Sequence, residues 1–268
     1  MTEALRFDGK LMGATVSRTA NHWFISIQVQ VEDKPVIHKS HVKVGIDLGL
    51  KAIVVVSTGK DVQAPKPLKK SMRRLARLNR RLHRKVKGSA NRRKAAERVA
   101  RLHERIANIR HDWLHKTTTM LARRYAFVAI EDLNIAGMLR HEKLARSISD
   151  VGFGEFRRQL QYKVPRHGGT LAVVDRFFPS SKACRKCGSI KEDLTLKDRT
   201  YVCVHCGHIE DRDLNASRNI LCEGLRTVGR TGTDACGQNA SMPKRKRFGV
   251  SKLGEAGNNV NSSDLCPT

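Results

Sequence analysis

Four cysteines in two closely spaced pairs constrain the folding of this chain more than any other feature of its sequence. Cys184 and Cys187 form the first Cys-x2-Cys pair, Cys203 and Cys206 form the second, and a glycine follows each pair. Fifteen residues separate the two pairs, a spacing typical of structural zinc sites. Because four thiolates complete a tetrahedron and leave no open position for a substrate, the sequence predicts one structural zinc ion per chain.

The segment around these pairs, residues 181–210, is therefore predicted to form a zinc ribbon. His205 and His208 are alternative nitrogen ligands within it, although a complete set of four thiolates makes them unnecessary. Basic residues beside the pairs, such as Lys186 and Lys191, favour the thiolate forms of the cysteines.

A second feature is an excess of positive charge that is concentrated in one segment. The chain has 52 Lys and Arg against 25 Asp and Glu, a net charge of +27. Residues 66–124 contain 21 of the basic residues and only three acidic ones. A compact protein with such an excess repels itself unless it binds a polyanion, so the sequence predicts nucleic acid as the partner. A face that is merely solvated would mix the two signs of charge.

The apolar residues of this segment predict an antiparallel helical hairpin over residues 65–124. They recur at helical steps on both sides of Gly88-Ser89, as Leu68, Met72, Leu75, Leu82 and Val86, then Val99, Leu102, Ile106, Ile109 and Trp113. Gly88 ends the first helix and Ser89 caps the second. The candidate nucleic-acid contacts on the remaining faces are Arg73, Arg74, Arg77, Arg80, Arg81, Arg84, Arg92, Arg93 and Lys94.

Outside the hairpin, short apolar runs predict β-strands that alternate with helices. Residues 14–31 show the period-two pattern of a half-buried β-hairpin, and residues 42–57 predict two strands, the second of them buried on both faces. Further strands are predicted at Phe127–Ile130 and Leu171–Val174, with a helix over Phe153–Val164 between them. This order predicts the α/β fold class.

Three acidic motifs lie where strands end or a helix begins. Asp47 lies on a strand between two glycines, Glu131 ends an apolar strand, and Asp211 and Asp213 open a predicted helix after the ribbon. Phosphodiester hydrolysis by two divalent ions needs carboxylates that hold the ions about 3.5–4 Å apart. An acid at the end of an apolar strand is costly unless it is paired or binds a metal. The residues alone leave open whether Asp211 or Asp213 is the third acid.

Taken together, these motifs resemble the OrfB/TnpB family of insertion-sequence proteins, which are transposases and relatives of type V CRISPR effectors. The resemblance runs from about residue 14 to about residue 221. It is carried by Gly45–Gly49, Ile130–Asn134, Gly152–Arg158, Phe178–Lys182, the two cysteine pairs and Asp211–Ala216. It implies a RuvC-like nuclease core of RNase H fold, with the basic hairpin inserted between its strands and a four-cysteine zinc ribbon inserted before the last acid.

The resemblance also implies catalytic roles and partners. The catalytic acids, which bind divalent cations, are Asp47, Glu131 and Asp213, since the acid two residues before Asn215 is the one that matches the family motif. Magnesium is the implied catalytic cofactor, DNA the implied substrate and a guide RNA the implied second partner, with no membrane association. Ser217 replaces the usual second alanine of this motif, which is a change between small residues.

The expected domain division follows from the same resemblance. Residues 1–41 are expected to be a remnant of an N-terminal β-barrel-type recognition domain, shorter than in other family members. The RuvC-like core is expected in three parts, residues 42–64, 125–180 and 211–224, separated by the hairpin and the ribbon. The polar residues 225–268 are expected to form a disordered basic tail. With a short recognition part, sequence-indifferent binding is expected to survive better than guided cleavage.

The start of the chain has no apolar signal segment, and no run approaches the roughly 18 apolar residues of a membrane span. Together with the family resemblance, which implies a prokaryotic, nucleoid-associated protein, this leads us to expect a cytoplasmic location. Two alternatives remain open. A DNA- or RNA-binding regulator, or an inactive remnant, would bind without cleaving, and a ribosomal-type RNA-binding protein would explain the charge and the zinc but not the acids.

Overall fold

A computed structural model describes residues 8–32, 36–49, 54–142, 144–195 and 198–233. Most of the predicted tail, residues 234–268, lies outside the described residues, as do Ala52 and Ile53 of one predicted strand. The elements, in chain order, are β1 (Lys10–Thr19), β2 (His22–Gln30), β3 (Lys43–Asp47), β4 (Val54–Val56), β5 (Asp61–Val62), α1 (Pro67–His83), α2 (Ala90–Arg124), β6 (Phe127–Glu131), α3 (Ile135–Leu139), α4 (Ala145–Val151), α5 (Phe153–Arg166), β7 (Thr170–Val174), β8 (Thr200–Val202), β9 (Ile209–Asp211) and α6 (Arg212–Thr233).

The core is a five-stranded sheet with the strand order β5-β4-β3-β6-β7. Strands β3, β6 and β7 are parallel to one another, whereas β4 and β5 are antiparallel to their neighbours. Helices cover both faces of this mixed sheet, which confirms the α/β class. Within the described part of the chain, no helix has the length and apolar character needed to cross a membrane.

Side-chain alternation along the strands decides which residues face which helices. Val128 and Ile130 of β6 belong to an apolar cluster with residues of α2 and α5, whereas Phe127 and Ala129 belong to a second cluster with residues of α6. Because successive side chains of a strand point to opposite faces, Glu131 shares the α6 face of the sheet.

The same alternation holds in β3, where a glycine allows helix α6 to approach closely. Val44 and Ile46 face α2 and α5, so Gly45 and Asp47 face α6. A Cβ atom on Gly45 would lie 2.0 Å from the carbonyl oxygen of Ser217, and one on Gly224 would lie 2.6 Å from the Cβ atom of Ala129. Helix α6 therefore packs directly on the sheet.

Substituting Gly45 with alanine is expected to lower the free energy of unfolding by about 3 kcal/mol or more, because the new methyl group would overlap backbone atoms of α6. Gly229→Ala is the matched control in α6 itself. Apart from the adjoining turns of α6, no atom of the described residues lies within 4 Å of its Cβ position, so the substitution should stabilise the protein by about 0.5–1 kcal/mol. Urea denaturation of the two variants measures both effects, and a Gly45→Ala protein as stable as wild type would contradict this packing.

Helices α1 and α2 form the basic hairpin and are anchored at both of its ends. The Ser89 side chain accepts a hydrogen bond from the Arg92 N–H and caps α2. The buried Asp150 of α4 accepts hydrogen bonds from the backbone N–H groups of Leu68 and Lys69, at 2.9 and 3.0 Å. A carboxylate from another helix thus caps α1, which has no side-chain cap of its own.

The predicted apolar seam is buried only in part. Leu102 and Ile106 of α2 are buried, but Val86 is 77% exposed. It lies in the loop between the two helices. The β1–β2 hairpin also differs from its predicted half-buried state, since Trp23 and Ile25 are exposed.

Helix α6 continues past residue 225, where the sequence predicted the start of a disordered tail. Its described residues run to Thr233. Leu225 and Val228 pack against the second apolar cluster, which includes Phe127 and Ala172 of the sheet. Tertiary packing on the sheet therefore extends the helix beyond the point where local composition turns polar.

Candidate active site and metal centre

The three acids predicted from the sequence lie together on the α6 face of the sheet. Asp47 ends β3, Glu131 ends the neighbouring parallel strand β6, and Asp213 lies in the first turn of α6. Burial raises the pKa of Asp47 to about 8, and the nearby charges of Glu131 and Asp213 contribute to the increase. Asp47 and Glu131 end adjacent parallel strands, and the effect of Asp213 on Asp47 places its carboxylate nearby. The three acids are not among the described groups whose ligand atoms all lie within 4.8 Å of one another.

Glu131 is held by a residue that the sequence analysis quoted without giving it a role. The hydroxyl of the buried Ser180 donates a hydrogen bond to the Glu131 carboxylate. Burial raises the pKa of Glu131 as well. The adjacent Asp132 is engaged elsewhere, in ion pairs with Arg157 and Arg176.

The geometry favours Asp213 over Asp211 as the third acid. One carboxylate oxygen of Asp211 accepts hydrogen bonds from the backbone N–H groups of Asp213 and Leu214, both at 3.0 Å, so Asp211 caps the start of α6. The Asp213 carboxylate accepts two hydrogen bonds from Arg212, at 2.9 and 3.1 Å, and Arg199 lies 3.6 Å away. Arg212 also opposes the increase in the pKa of Asp47.

This donor set fits hard divalent cations. Carboxylate oxygens are the ligands that magnesium prefers, and Asp47, Glu131 and Asp213 supply them, with Arg212 and Arg199 as neighbouring positive charges. Because two of these acids have pKa values raised by burial, a bound cation would relieve an electrostatic cost that the protein carries without it.

The four cysteines predicted as metal ligands converge at the ribbon, with all their sulfur atoms within 4.8 Å of one another. The Sγ atoms of Cys184 and Cys206 are 3.7 Å apart, and those of Cys187 and Cys203 are 3.6 Å apart. A tetrahedron with metal–sulfur bonds of about 2.3 Å has edges of about 3.8 Å. The cluster therefore has the dimensions of a tetrahedral metal site.

The two alternative histidine ligands are not part of this cluster. His205 is exposed, and His208 lies 3.5 Å from the carboxylate of Glu210. The two glycines that follow the cysteine pairs, Gly188 and Gly207, have φ angles of +74° and +70°. This left-handed conformation closes each cysteine turn and favours glycine.

Two buried asparagines of α6, which the sequence analysis did not single out, attach the ribbon to the active-site helix. The Asn215 side chain donates to the Ala183 carbonyl at 2.8 Å and accepts from the Arg185 N–H at 3.1 Å. Asn219 donates to the carbonyls of Ser180 and Ala183, both at 2.8 Å. Their four-residue spacing on one helix face was the available signal.

The predicted nucleic-acid contacts of the hairpin are exposed, with one exception. Arg92 is half-buried, and its guanidinium donates to the carbonyls of Leu82 and Lys85, both at 3.2 Å. It therefore caps the C-terminal end of α1. A phosphate contact would instead need an exposed guanidinium that is not engaged with backbone carbonyls. Conversely, the prediction omitted three arginines of α2 that line a groove of about 270 Å³ with Arg74, namely Arg98, Arg101 and Arg105.

Two family models match the chain in series. Residues 26–142 match the OrfB_IS605 family, whose description is "Probable transposase". Residues 153–220, which include the four cysteines and the third acid, match the Cas12f1-like TNB domain.

Curated relatives share most of this chain. A Streptomyces pristinaespiralis protein named "Putative RNA-guided DNA endonuclease" is 42% identical over 252 residues, covering 89% of this chain and 61% of the relative. The Escherichia coli K12 protein "Putative RNA-guided DNA endonuclease InsQ" is 35% identical, with coverages of 86% and 59%. TnpB-like protein L79 of Acanthamoeba polyphaga mimivirus is 26% identical and is covered over 41% of its length. The chain thus spans about three fifths or less of these relatives.

Solved structures share the fold. A CRISPR-Cas12f ternary complex matches with a TM-score of 0.51 and 19% identity, over 74% of this chain and 41% of that one. A complex of Cas12f1 with sgRNA and target DNA matches with a TM-score of 0.54 and 21% identity, over 74% and 42%. The resemblance indicated by the sequence motifs is thereby confirmed: one part of the chain matches the OrfB_IS605 family model, a later part matches the Cas12f1-like TNB domain model, and the relatives are named as putative RNA-guided DNA endonucleases or TnpB-like proteins.

Proposed function

We propose that this chain is a transposon-associated, divalent-metal-dependent DNA endonuclease with a RuvC-like core of RNase H type. The observation that carries the proposal is that Asp47 and Glu131 end neighbouring parallel strands on the sheet face covered by α6, whose first turn carries Asp213. The same helix anchors the ribbon. The mixed sheet, with three parallel strands and two antiparallel ones at one edge, supports the same assignment.

Asp47, Glu131 and Asp213 would hold the catalytic magnesium ions. When bound, magnesium stabilises the charge that develops on a phosphodiester and lowers the pKa of bound water. The surrounding residues fix the ligands, since Ser180 orients Glu131 and Arg212 orients Asp213. Asp211 keeps the first turn of α6 in place.

The four cysteines, Cys184, Cys187, Cys203 and Cys206, would hold one structural zinc ion. A site of four thiolates is closed to substrate, so the zinc contributes to folding and not to chemistry. Through Asn215 and Asn219, a folded ribbon would keep α6 in the position that presents Asp213.

The proposed partners are DNA as substrate and RNA as guide. The exposed arginines of the hairpin provide sequence-independent contacts to phosphates, and the groove lined by Arg98, Arg101 and Arg105 extends this surface. Two of the relatives described above are named as RNA-guided DNA endonucleases. Residues 42–64, 125–180 and 211–224 would form the nuclease core, with α6 extending its third part to Thr233.

The direct test is a cleavage assay with the 268-residue chain and its copurified RNA. Supercoiled plasmid is incubated with Mg²⁺ or with EDTA, and nicking is expected only with Mg²⁺. Tight DNA binding without nicking in Mg²⁺ or Mn²⁺ would overturn the nuclease proposal in favour of a non-cleaving binder.

The salt dependence of binding tests the role of the hairpin. The triple variant Arg77→Gln/Arg80→Gln/Arg84→Gln removes three exposed charges, and each lost phosphate contact should reduce the slope of log K against log salt by about 0.9 on duplex DNA. Arg92→Gln is the matched control. It should leave the slope unchanged and lower the stability instead, because the Arg92 guanidinium binds backbone carbonyls. Fluorescence anisotropy over a salt series measures the slopes.

A further inference from the structure

A second group of metal-ligating side chains lies outside the proposed active site and the ribbon. His111 and His115 are exposed on α2, four residues apart and therefore on one face of the helix. Glu155 lies on α5, the helix that packs beside α2. One ligand atom from each of the three residues lies within 4.8 Å of the other two.

We propose that His111, His115 and Glu155 form a binding site for a transition-metal ion of the zinc class. Two imidazole nitrogens and one carboxylate oxygen suit Zn²⁺, and three protein ligands leave one position for water. The site would join the base of the basic hairpin to the helices that cover the sheet, because α2 supplies two ligands and α5 the third.

Glu155 is prepared for this role by its neighbours. Arg158 donates two hydrogen bonds of 2.7 Å to its carboxylate, and the pKa of Glu155 is lowered to about 2 chiefly by this contact, so the group is ionised at neutral pH. The Arg158 side chain is 62% exposed, and exposed ion pairs cost little to break. The buried Gln159 donates to the same carboxylate at 2.9 Å and would orient it after Arg158 has moved away.

The neighbours of His115 determine which of its ring nitrogens can bind a metal ion. The Lys163 Nζ lies 3.1 Å from Nδ1 of His115. Binding a metal ion through Nε2 requires the ring proton to be on Nδ1, where Lys163 would accept it as a neutral amine. Lys163 is itself buried, and Thr118 and Thr119 hold its amine at 2.8 and 2.9 Å. A protonated Lys163 amine would repel a cation at His115. The fixed orientation of the His115 ring, in contrast, favours metal binding.

The site is separate from the three acids. Helices α2 and α5 cover the face of the sheet that carries Val128 and Ile130, whereas Asp47, Glu131 and Asp213 lie on the α6 face. Metal binding at the histidines is therefore independent of the proposed nuclease function.

Equilibrium dialysis against Zn²⁺ tests the proposal. The protein first receives zinc at its cysteine cluster, and Asp47→Asn removes the carboxylate site from the count. We expect one further zinc ion per chain, with an affinity that falls at least about tenfold in His111→Ala and in His115→Ala. Arg158→Gln should tighten binding, because it removes the competitor for Glu155. His103→Ala, an exposed histidine of the same helix, is the matched control and should change nothing.

Cobalt identifies the ligands of the further ion. Co²⁺ added to the zinc-loaded protein should show no thiolate-to-metal charge transfer, since the proposed ligands are nitrogen and oxygen. Wild-type protein that takes up no further ion would overturn the proposal, and so would uptake that persists unchanged in the His111→Ala/His115→Ala variant. Both histidines are exposed, and far-ultraviolet circular dichroism verifies that the variants remain folded.

Discussion

The Asp47→Asn variant is expected to lose Mg²⁺-dependent DNA cleavage by a factor on the order of 10²–10³ or more, while its affinity for DNA stays close to that of wild type. Losing one preorganised electrostatic group of an active site has effects of this size. Binding should be unaffected because the proposed DNA contacts are the exposed arginines of the hairpin, which the substitution leaves in place. Plasmid nicking and anisotropy measure the two quantities on the same preparation.

The control for this variant is Asp112→Asn, which removes an exposed carboxylate of α2 that pairs only with Lys116 among the described ion pairs. It should cleave as wild type does. Asp47→Asn protein that nicks plasmid at the wild-type rate would show that Asp47 does not take part in the chemistry.

The same substitution changes the pH dependence of stability. The folded-state pKa of Asp47 is raised from 3.8 to about 8, so the folded protein binds more protons than the unfolded chain between these pH values. Without metal, stability therefore falls as the pH rises from about 4 to about 8. Asp47→Asn should reduce this fall, and thermal unfolding in EDTA across this pH range measures the difference.

The double variant Cys187→Ser/Cys206→Ser is expected to lose its zinc and the fold of residues 181–210. Structural zinc sites contribute apparent folding free energies of about 10–16 kcal/mol, more than a small ribbon can replace by other contacts. The described interior of the ribbon consists of Tyr201, Leu194, Cys184, Cys203 and Cys206. Metal analysis should show the loss, and hydrogen exchange should show an unprotected Tyr201 amide.

Loss of the ribbon should also impair cleavage, because Asn215 and Asn219 connect it to the helix that carries Asp213. His205→Ala is the matched control, since His205 is exposed and lies outside the cysteine cluster. It should keep its zinc. Zinc retained in full by the double cysteine variant would refute the assignment of these ligands.

Local patterns in the sequence were sufficient for much of the fold. The spacing of the cysteines predicted their convergence because two residues between ligands bring both sulfurs to one turn. The apolar runs predicted the central strands because burial on both faces allows few polar residues. The strand-end positions of Asp47 and Glu131 brought them together because the carboxyl ends of parallel neighbours lie at one edge of a sheet.

These local patterns could not predict contacts between residues that are distant in the chain. Asp150 caps a helix more than 80 residues away, and Ser180 orients an acid 49 residues away. Arg92 has the same local pattern as the exposed arginines, so only the fold distinguishes a capping guanidinium from a phosphate contact. The length of α6 depends in the same way on the packing of Leu225 and Val228 against the sheet.

Manganese binding tests the central claim most directly, since Mn²⁺ replaces Mg²⁺ at carboxylate sites and is detected by electron paramagnetic resonance. The measurement compares zinc-loaded wild type with two isosteric variants of neighbouring acids, Asp211→Asn and Asp213→Asn. We predict that wild type and Asp211→Asn bind Mn²⁺, because Asp211 caps α6, and that Asp213→Asn loses it. Mn²⁺ bound equally by Asp213→Asn and wild type would contradict a metal site formed by Asp47, Glu131 and Asp213.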